Sequence, residues 1–386
     1  MLTMLSQFGG DLLSQIIWLV LFVVFMVYGQ RIMVTQAVIK LEREVYELEE
    51  IANKSRRQVI HFISKRPDKK LQTSIGNFMN FFAIGPVSTD PYGIMKKIDH
   101  VTRHSDKRMN YFVDEVAPKF SNDKKKDIKN ALAGAITTHS IAKIVRHYLE
   151  LIKKYKMFQL AMIIQMQMPL IKRISKAASK ATYAFLDGVP IGDGIGPLVV
   201  ASLIKGKPRV YEKEEFVVYK TRLEGRDVFI SKANGPGATT GYPGKFMLKF
   251  MRKNKINRII SIDAAMKLEG EKTASIAEGV GIAMGGNGVD RYEIEQVVVN
   301  KKLPLDAIAI KVSDEDALGP MNKLLFNAVP KVQQTLRERI KKTRRGEKIL
   351  VMGVGNTCGV GNDYRTLLKV KEKLRRHMRK IKKKKK

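Results

Sequence analysis

The chain is short of cysteine, histidine and acidic residues, and each shortage narrows what it can be. One cysteine, Cys358, in 386 residues excludes an intrachain disulfide and a cysteine-ligated metal centre, and it fits a reducing compartment. Asp and Glu number 37 against 71 Lys and Arg, a formal charge of +34. That imbalance implies polyanionic surroundings, either nucleic acid or anionic lipid head groups. No complete nucleotide signature is present. The loop at Thr239 to Lys245 lacks the first glycine of a P-loop and has Phe246 where Ser or Thr should hold magnesium. The loop opening at Gly353-Val-Gly355 has Cys358 at the third glycine position of a dinucleotide fingerprint, and no second βαβ strand follows it.

The first feature present is an uncharged run, LLSQIIWLVLFVVFMVYG, over 12–29. As a helix it spans about 27 Å, close to a bilayer's hydrocarbon core. No Lys or Arg precedes Arg31, so a secretory n-region is absent. The expectation is an uncleaved, single-pass transmembrane helix with its N-terminus outside and the bulk of the chain cytoplasmic at the cell membrane.

Over 30–67 apolar residues recur at Val34, Val38, Leu41, Val45, Leu48, Ala52 and Val59, with charges between. This reads as a long helix, either a coiled-coil stalk that makes a homo-oligomer or a helix packed on its own domain. Residues 68–182 read as a helical membrane-proximal region. One helix starts near Asp90-Pro91, another runs from Asp123 to Tyr155, and a Met-rich helix over Met157–Ile171 contains Pro169. His100 and His104, four apart, share a helix face and could form half a metal site, but Arg103, Lys107 and Arg108 crowd them with positive charge.

Residues 183–364 change character. Phe216-Val-Val-Tyr219 and Val228-Phe-Ile-Ser231 flank Glu224-Gly225-Arg226 as a hairpin. Runs from Arg258 to Asp263, Leu305 to Val312 and Lys348 to Gly353 read as buried strands, and Leu324 to Ile340 as an amphipathic helix. The expected fold class is α/β: a sandwich with a largely parallel sheet. A basic tail over 365–386, almost without aromatics, offers no stacking platform for bases and suits lipid head groups better than sequence-specific RNA contacts.

Two aspartates stand out. Asp193 sits inside Gly192-Asp-Gly-Ile-Gly196, and Asp263 ends a strand. Strand-end loops of a parallel sheet converge at one edge, so these residues can meet there. Paired carboxylates can divide acid and base roles around a water, or hold a divalent cation. Turn-former and cap are the structural roles open to the same residues. Gly192, Gly194, Gly196, Gly285, Gly286, Asn287, Gly355 and Asn356 are the loop residues expected to line the site.

In order, Gly192-Asp-Gly-Ile-Gly-Pro197-Leu-Val-Val, Ile259-Ile-Ser-Ile-Asp-Ala-Ala265, Gly279-Val-Gly…Gly285-Gly-Asn-Gly-Val289 and Leu305-Asp-Ala-Ile-Ala-Ile310 resemble the germination protease and hydrogenase maturation protease group. The resemblance covers roughly residues 183–320. It implies an α/β sandwich, a peptidase-like hydrolase activity, and Asp193 and Asp263 as the catalytic pair. The group's nickel-holding histidine has no counterpart, since only His377 follows His147. Its glycine-rich first strand resembles Lys348 to Asn356, which would require a permuted order. The whole chain also resembles a family of archaeal membrane proteins of unknown function. The alternative to a hydrolase is a non-catalytic binding or scaffolding module at the membrane.

Overall fold

The computed structural model describes residues 2–86, 93–286 and 288–385, and side chains for all of these except 2–13, 25–27, 30–31 and 380–385. The expected helix start at Asp90-Pro91 and the site candidate Asn287 lie outside the described residues. The chain divides into two compact units.

The first unit holds residues 1–53 and 138–175. It is built from parts of α1 (Leu2–Ile63), α4 (Asn122–Tyr155) and α5 (Phe158–Asp187). The 3-4 stripe Val34, Leu41, Val45, Leu48 and Ala52 is buried against Ala142, Val145, Leu149 and Ile152 of α4 and Ala161 and Met168 of α5. The stripe therefore packs on helices of its own chain. Glu49 receives two hydrogen bonds from Arg146 at 2.8 Å, and Lys172 reaches Glu44 at 2.5 Å, which closes the edges of that core.

The expected transmembrane helix is corrected here. Among the described residues no helix is long and apolar enough to cross a membrane. The run over 12–29 belongs to the 62-residue α1.

The second unit holds residues 54–137 and 176–386. Its helical part adds α2 (Lys69–Phe78) and α3 (Ile94–Val116) to the ends of α1, α4 and α5. Ile75, Val113, Ile128, Leu132, Ala181 and Phe185 share one core there. The remainder runs α6 (Ile195–Ala201), β1 (Arg209–Tyr211), β2 (Phe216–Leu223), β3 (Arg226–Ala233), α7 (Pro243–Lys253), β4 (Arg258–Met266), β5 (Ile276–Val280), α8 (Val289–Lys301), β6 (Leu305–Val312), α9 (Asp314–Leu318), α10 (Lys323–Lys341), β7 (Lys348–Gly353) and α11 (Thr366–Lys385).

The sheet order is β1-β2-β3-β7-β4-β6-β5. The four central strands are parallel and the pairs at both edges antiparallel, so the sheet is mixed rather than largely parallel throughout. The edges escaped the sequence reading because β1 has three residues and β5 reads Ile-Ala-Glu-Gly-Val, without an apolar run. Strand residues alternate between two cores as the pleat demands. Ile260, Ile262, Ile349 and Val351 face α6 and α10, while Ile259, Leu350 and Met352 face α7 and α8. The chain leaves β3 through α7 to reach β4, and returns from β6 through α10 to β7, which lies between them. The carboxyl ends of β7 and β4 therefore flank a topological switch point, where open α/β sheets place ligands.

Candidate active site

β7 stops one residue short of Asp263. Its last pairing is Gly353 with Ile262, whereas β4 continues beside β6, with Asp263 opposite Ala309. The turn Gly192-Asp193-Gly194 and the first turn of α6 sit on that step. Every residue from Ile195 to Ala201 is buried, which carries α6 onto the sheet. A Cβ at Gly196 would stand 2.3 Å from the Val354 carbonyl oxygen and 2.4 Å from that of Ile262, so only glycine lets the helix approach both strand ends. Gly355, at φ +127°, has no room either, since its Cβ would lie 2.0 Å from the Asp193 carbonyl oxygen.

These approaches bring the two aspartates together. The Asn356 N–H donates to Asp193 Oδ2 at 2.8 Å. Asp263, only 4% exposed, accepts from the Ala264 N–H at 2.7 Å and from the Gly285 N–H. Burial raises the Asp193 carboxyl above its ordinary value, partly offset by the Asn356 N–H. Asp263 is pushed well above the usual carboxylate range, first by burial and then by the negative charge of Asp193. In a chain with 71 Lys and Arg, no cation contributes to either shift. Two neighbouring carboxyl groups perturbed to different extents are the kind of pair that can divide acid and base roles around a water.

The expected lining residues fall into two groups. Gly192, Gly194, Gly196, Gly355 and Asn356 form the packed floor; Gly192 is wedged against the Asp316 carbonyl and Gly194 against that of Asn356. Gly285 and Gly286 belong to the 281–288 loop, where an added Cβ would meet open space. Asn356 makes two further contacts: its Oδ1 accepts from the Cys358 N–H at 2.9 Å, and its Nδ2 donates to Asn130 Oδ1 of α4 at 3.3 Å.

Among the described residues no group of three His, Cys, Asp or Glu could hold a metal ion. Asp193 and Asp263 supply two carboxylates for an oxygen-ligated divalent cation, with water completing the shell. His100 and His104 stack with centroids 6.4 Å apart, and among the described residues no third ligand joins them. His377 lies against Asp187, 3.8 Å away, and not at the aspartate pair.

The two glycine-rich loops tested as phosphate cradles bond to each other. The Thr357 N–H donates to the Thr239 carbonyl at 3.0 Å, the Gly359 N–H to that of Pro236 at 2.9 Å, and Thr357 Oγ1 to that of Gly237 at 2.7 Å. The Thr357 and Gly359 amides are thereby spent on this contact.

Two buried ionisable groups escaped the sequence reading. Asp127 of α4 accepts from the Ala238 N–H at 3.0 Å and from Lys124 at 3.1 Å, with the Cys358 thiol 3.8 Å away. It lies in the run Lys124-Lys-Lys-Asp-Ile, which reads as a solvated face. Lys232 of β3 is fully buried, and its Nζ donates to Ala233 O and Asn362 Oδ1, both at 2.7 Å. A lysine closing a strand usually reaches solvent, and nothing local marks this one.

Burial lowers the Lys232 ammonium to about 7 from 10.5. Between those values the folded chain binds fewer protons than the unfolded chain, so stability should rise with pH across the window from about 7 to 10.5. Thermal midpoints measured against pH should show this rise in the parent but not in Lys232→Met. A parent curve parallel to the variant's would contradict the assignment.

No curated protein sequence matches the chain. Residues 15–188 match the family described as "Protein of unknown function (DUF1512) N-terminal domain". Residues 191–361 match "Domain of unknown function (DUF1512) C-terminal". The boundary between the matches falls at the Val189-Pro190 junction before the Asp193 turn, and the pair of aspartates lies in the C-terminal match. Carrying both parts in order, the chain belongs to the DUF1512 family.

Proposed function

We propose that the α/β part of the chain is a hydrolase, peptidase-like in its substrate class, in which Asp193 and Asp263 act on one water. The observation that carries this reading is the meeting of two carboxyl groups at a parallel-sheet switch point without a balancing cation. Asp193, partly exposed and less perturbed, takes the proton as water attacks the amide carbonyl. Asp263, whose carboxyl is raised the further of the two, gives its proton to the departing amine as the carbon–nitrogen bond breaks. The products are a carboxylic acid and an amine, and proton exchange with solvent resets the pair.

The resemblance to the germination protease group supports this reading. The glycine-rich strand, last in this chain, is central in the sheet, and its Asn356 amide bonds the aspartate of the first loop.

The test is to incubate the full chain with a mixed peptide library from about pH 4 to about pH 9 and to identify new termini by mass spectrometry. The parent should create new termini; Asp193→Asn should not. A parent that cleaves nothing, or a variant that cleaves as well as the parent, would overturn the reading in favour of a binding module.

A further inference from the structure

The aspartate site lies at the strand ends of the α/β part, yet one of its supports comes from α4. That helix clamps the buried Ala238 on both of its polar groups. Asp127 Oδ1 accepts from the Ala238 N–H at 3.0 Å, and Asn130 Nδ2 donates to the Ala238 carbonyl at 2.8 Å. The two side chains stand three residues apart and so share a helix face. Asn130 Nδ2 also donates to the Lys126 carbonyl at 3.0 Å, which uses its second hydrogen and fixes the rotation of the amide. The amide oxygen is thereby turned toward Asn356, whose Nδ2 donates to it at 3.3 Å. The loop before Ala238 is seated on α4 as closely: a Cβ on Gly237 would stand 2.9 Å from the Asp123 Cα.

Asn356 is 6% exposed, and each of its polar groups near the site has an assigned partner. Its side chain is held between the Cys358 N–H and Asn130, and its main-chain N–H donates to Asp193 Oδ2 at 2.8 Å. On its other side the Asn356 carbonyl packs against Gly194, where a Cβ would come within 2.8 Å. Among the described residues no other donor reaches the Asp193 carboxyl, and Asp263 is the titratable group coupled to it.

We infer that Asn130 is a positioning residue of the candidate site, holding the Asn356 side chain so that the Asn356 N–H stays on Asp193. Asn130 carries no proton itself and acts only through Asn356. An N–H aimed at a carboxylate favours its ionised form, so the relay opposes the effect of burial on Asp193 and keeps the proposed base available at lower pH. The consequence for turnover rests on the hydrolase reading; the relay itself does not.

The experiment is the carboxyl titration of Asp193, followed by NMR in the full chain and paired with the peptide assay across pH. Asn130→Ala should move the Asp193 midpoint upward by about 0.5 pH unit, about threefold in its ionisation constant, and the acid limb of cleavage should follow it. Asn356→Ala keeps the backbone donor and alters no helix residue, so it should do the same and serves alone if the Asn130 variant fails to fold. The double variant should move no further than either single, since both break one relay. Leu132→Ala is the control for mere loosening of α4: it opens the core of the same helix, should lower the thermal midpoint, and should leave Asp193 where it is. An Asp193 midpoint unmoved by Asn130→Ala and Asn356→Ala, moved equally by Leu132→Ala, or shifted additively in the double variant would overturn the inference. The titration needs no substrate, so the two failures read differently. A failed relay leaves Asp193 in place, whereas a failed hydrolase leaves the parent without new termini.

Discussion

Asp263→Asn is expected to stabilise the protein at neutral pH while lowering hydrolysis at least a hundredfold. The two effects have one cause. A carboxyl group whose pKa is raised by burial and by a neighbouring negative charge is an expense to the fold whenever it ionises. The folded chain binds more protons at this position than the unfolded chain from the ordinary value of 3.8 upward, so stability falls as pH rises through that window. Asparagine cannot ionise and escapes the penalty. Each kcal/mol recovered would raise the thermal midpoint by about 2–4 °C. The advantage should vanish below about pH 3.8, where both states of the parent are protonated. The activity loss follows from removing the proton donor, a contribution of about 10²–10⁴ in rate. Calorimetry across pH, paired with the peptide assay, checks both. A variant less stable than the parent at pH 7 and equally active would show that Asp263 is a cap for its strand end.

Gly196→Ala should be strongly destabilising. The new carbon would overlap two carbonyl oxygens, at 2.3 and 2.4 Å, one from each strand end. Both belong to backbone, and the Val354 N–H to Ile262 carbonyl bond of 2.9 Å ties them together, so neither can yield alone. The remaining relief is to lift α6 from the sheet, which uncovers Leu198, Val199 and Val200. Overpacking in ordinary cores costs about 1–3 kcal/mol, and a clash with two fixed carbonyls should exceed that. Gly285→Ala is the matched control: its Cβ meets nothing within 4 Å, and its midpoint should stay near the parent's. Chemical denaturation of the two variants decides this. Equal midpoints would mean that α6 is not seated on the strand ends.

The extent to which these features could be read in advance differed by element. β4, β6 and β7 were legible because buried parallel strands are unbroken apolar runs, and β2 and β3 because a glycine turn separates two apolar runs as a hairpin. Asp193 and Asp263 were legible as a pair because a loop aspartate among glycines and a strand-terminal aspartate both belong at the carboxyl edge. What joins them was not legible. Asn356 is fixed between Asp193 and Asn130 by approaches of α4, α6 and β7 that no local pattern encodes. Lys232 and Asp127 were hidden for the opposite reason, since charged residues in a basic chain read as surface until neighbouring segments cover them. The stripe from Val34 to Ala52 announced a helix, but its 3-4 spacing is the same whether the partner is a second copy or, as here, α4 and α5. The uncharged run over 12–29 invited a membrane span by its length and its flanking charges, and among the described residues no helix is long and apolar enough to sustain it.

The coupling of the two aspartates is the claim on which the proposed chemistry stands. Carboxyl carbon chemical shifts, followed by NMR through a pH titration of the full chain and of Asp193→Asn, measure it directly. Asp263 should titrate well above 3.8 in the parent and shift downward in the variant, because one of the two causes of its elevation is then removed. An Asp263 that titrates near 3.8, or that ignores the loss of Asp193, would contradict the pair and with it the hydrolase.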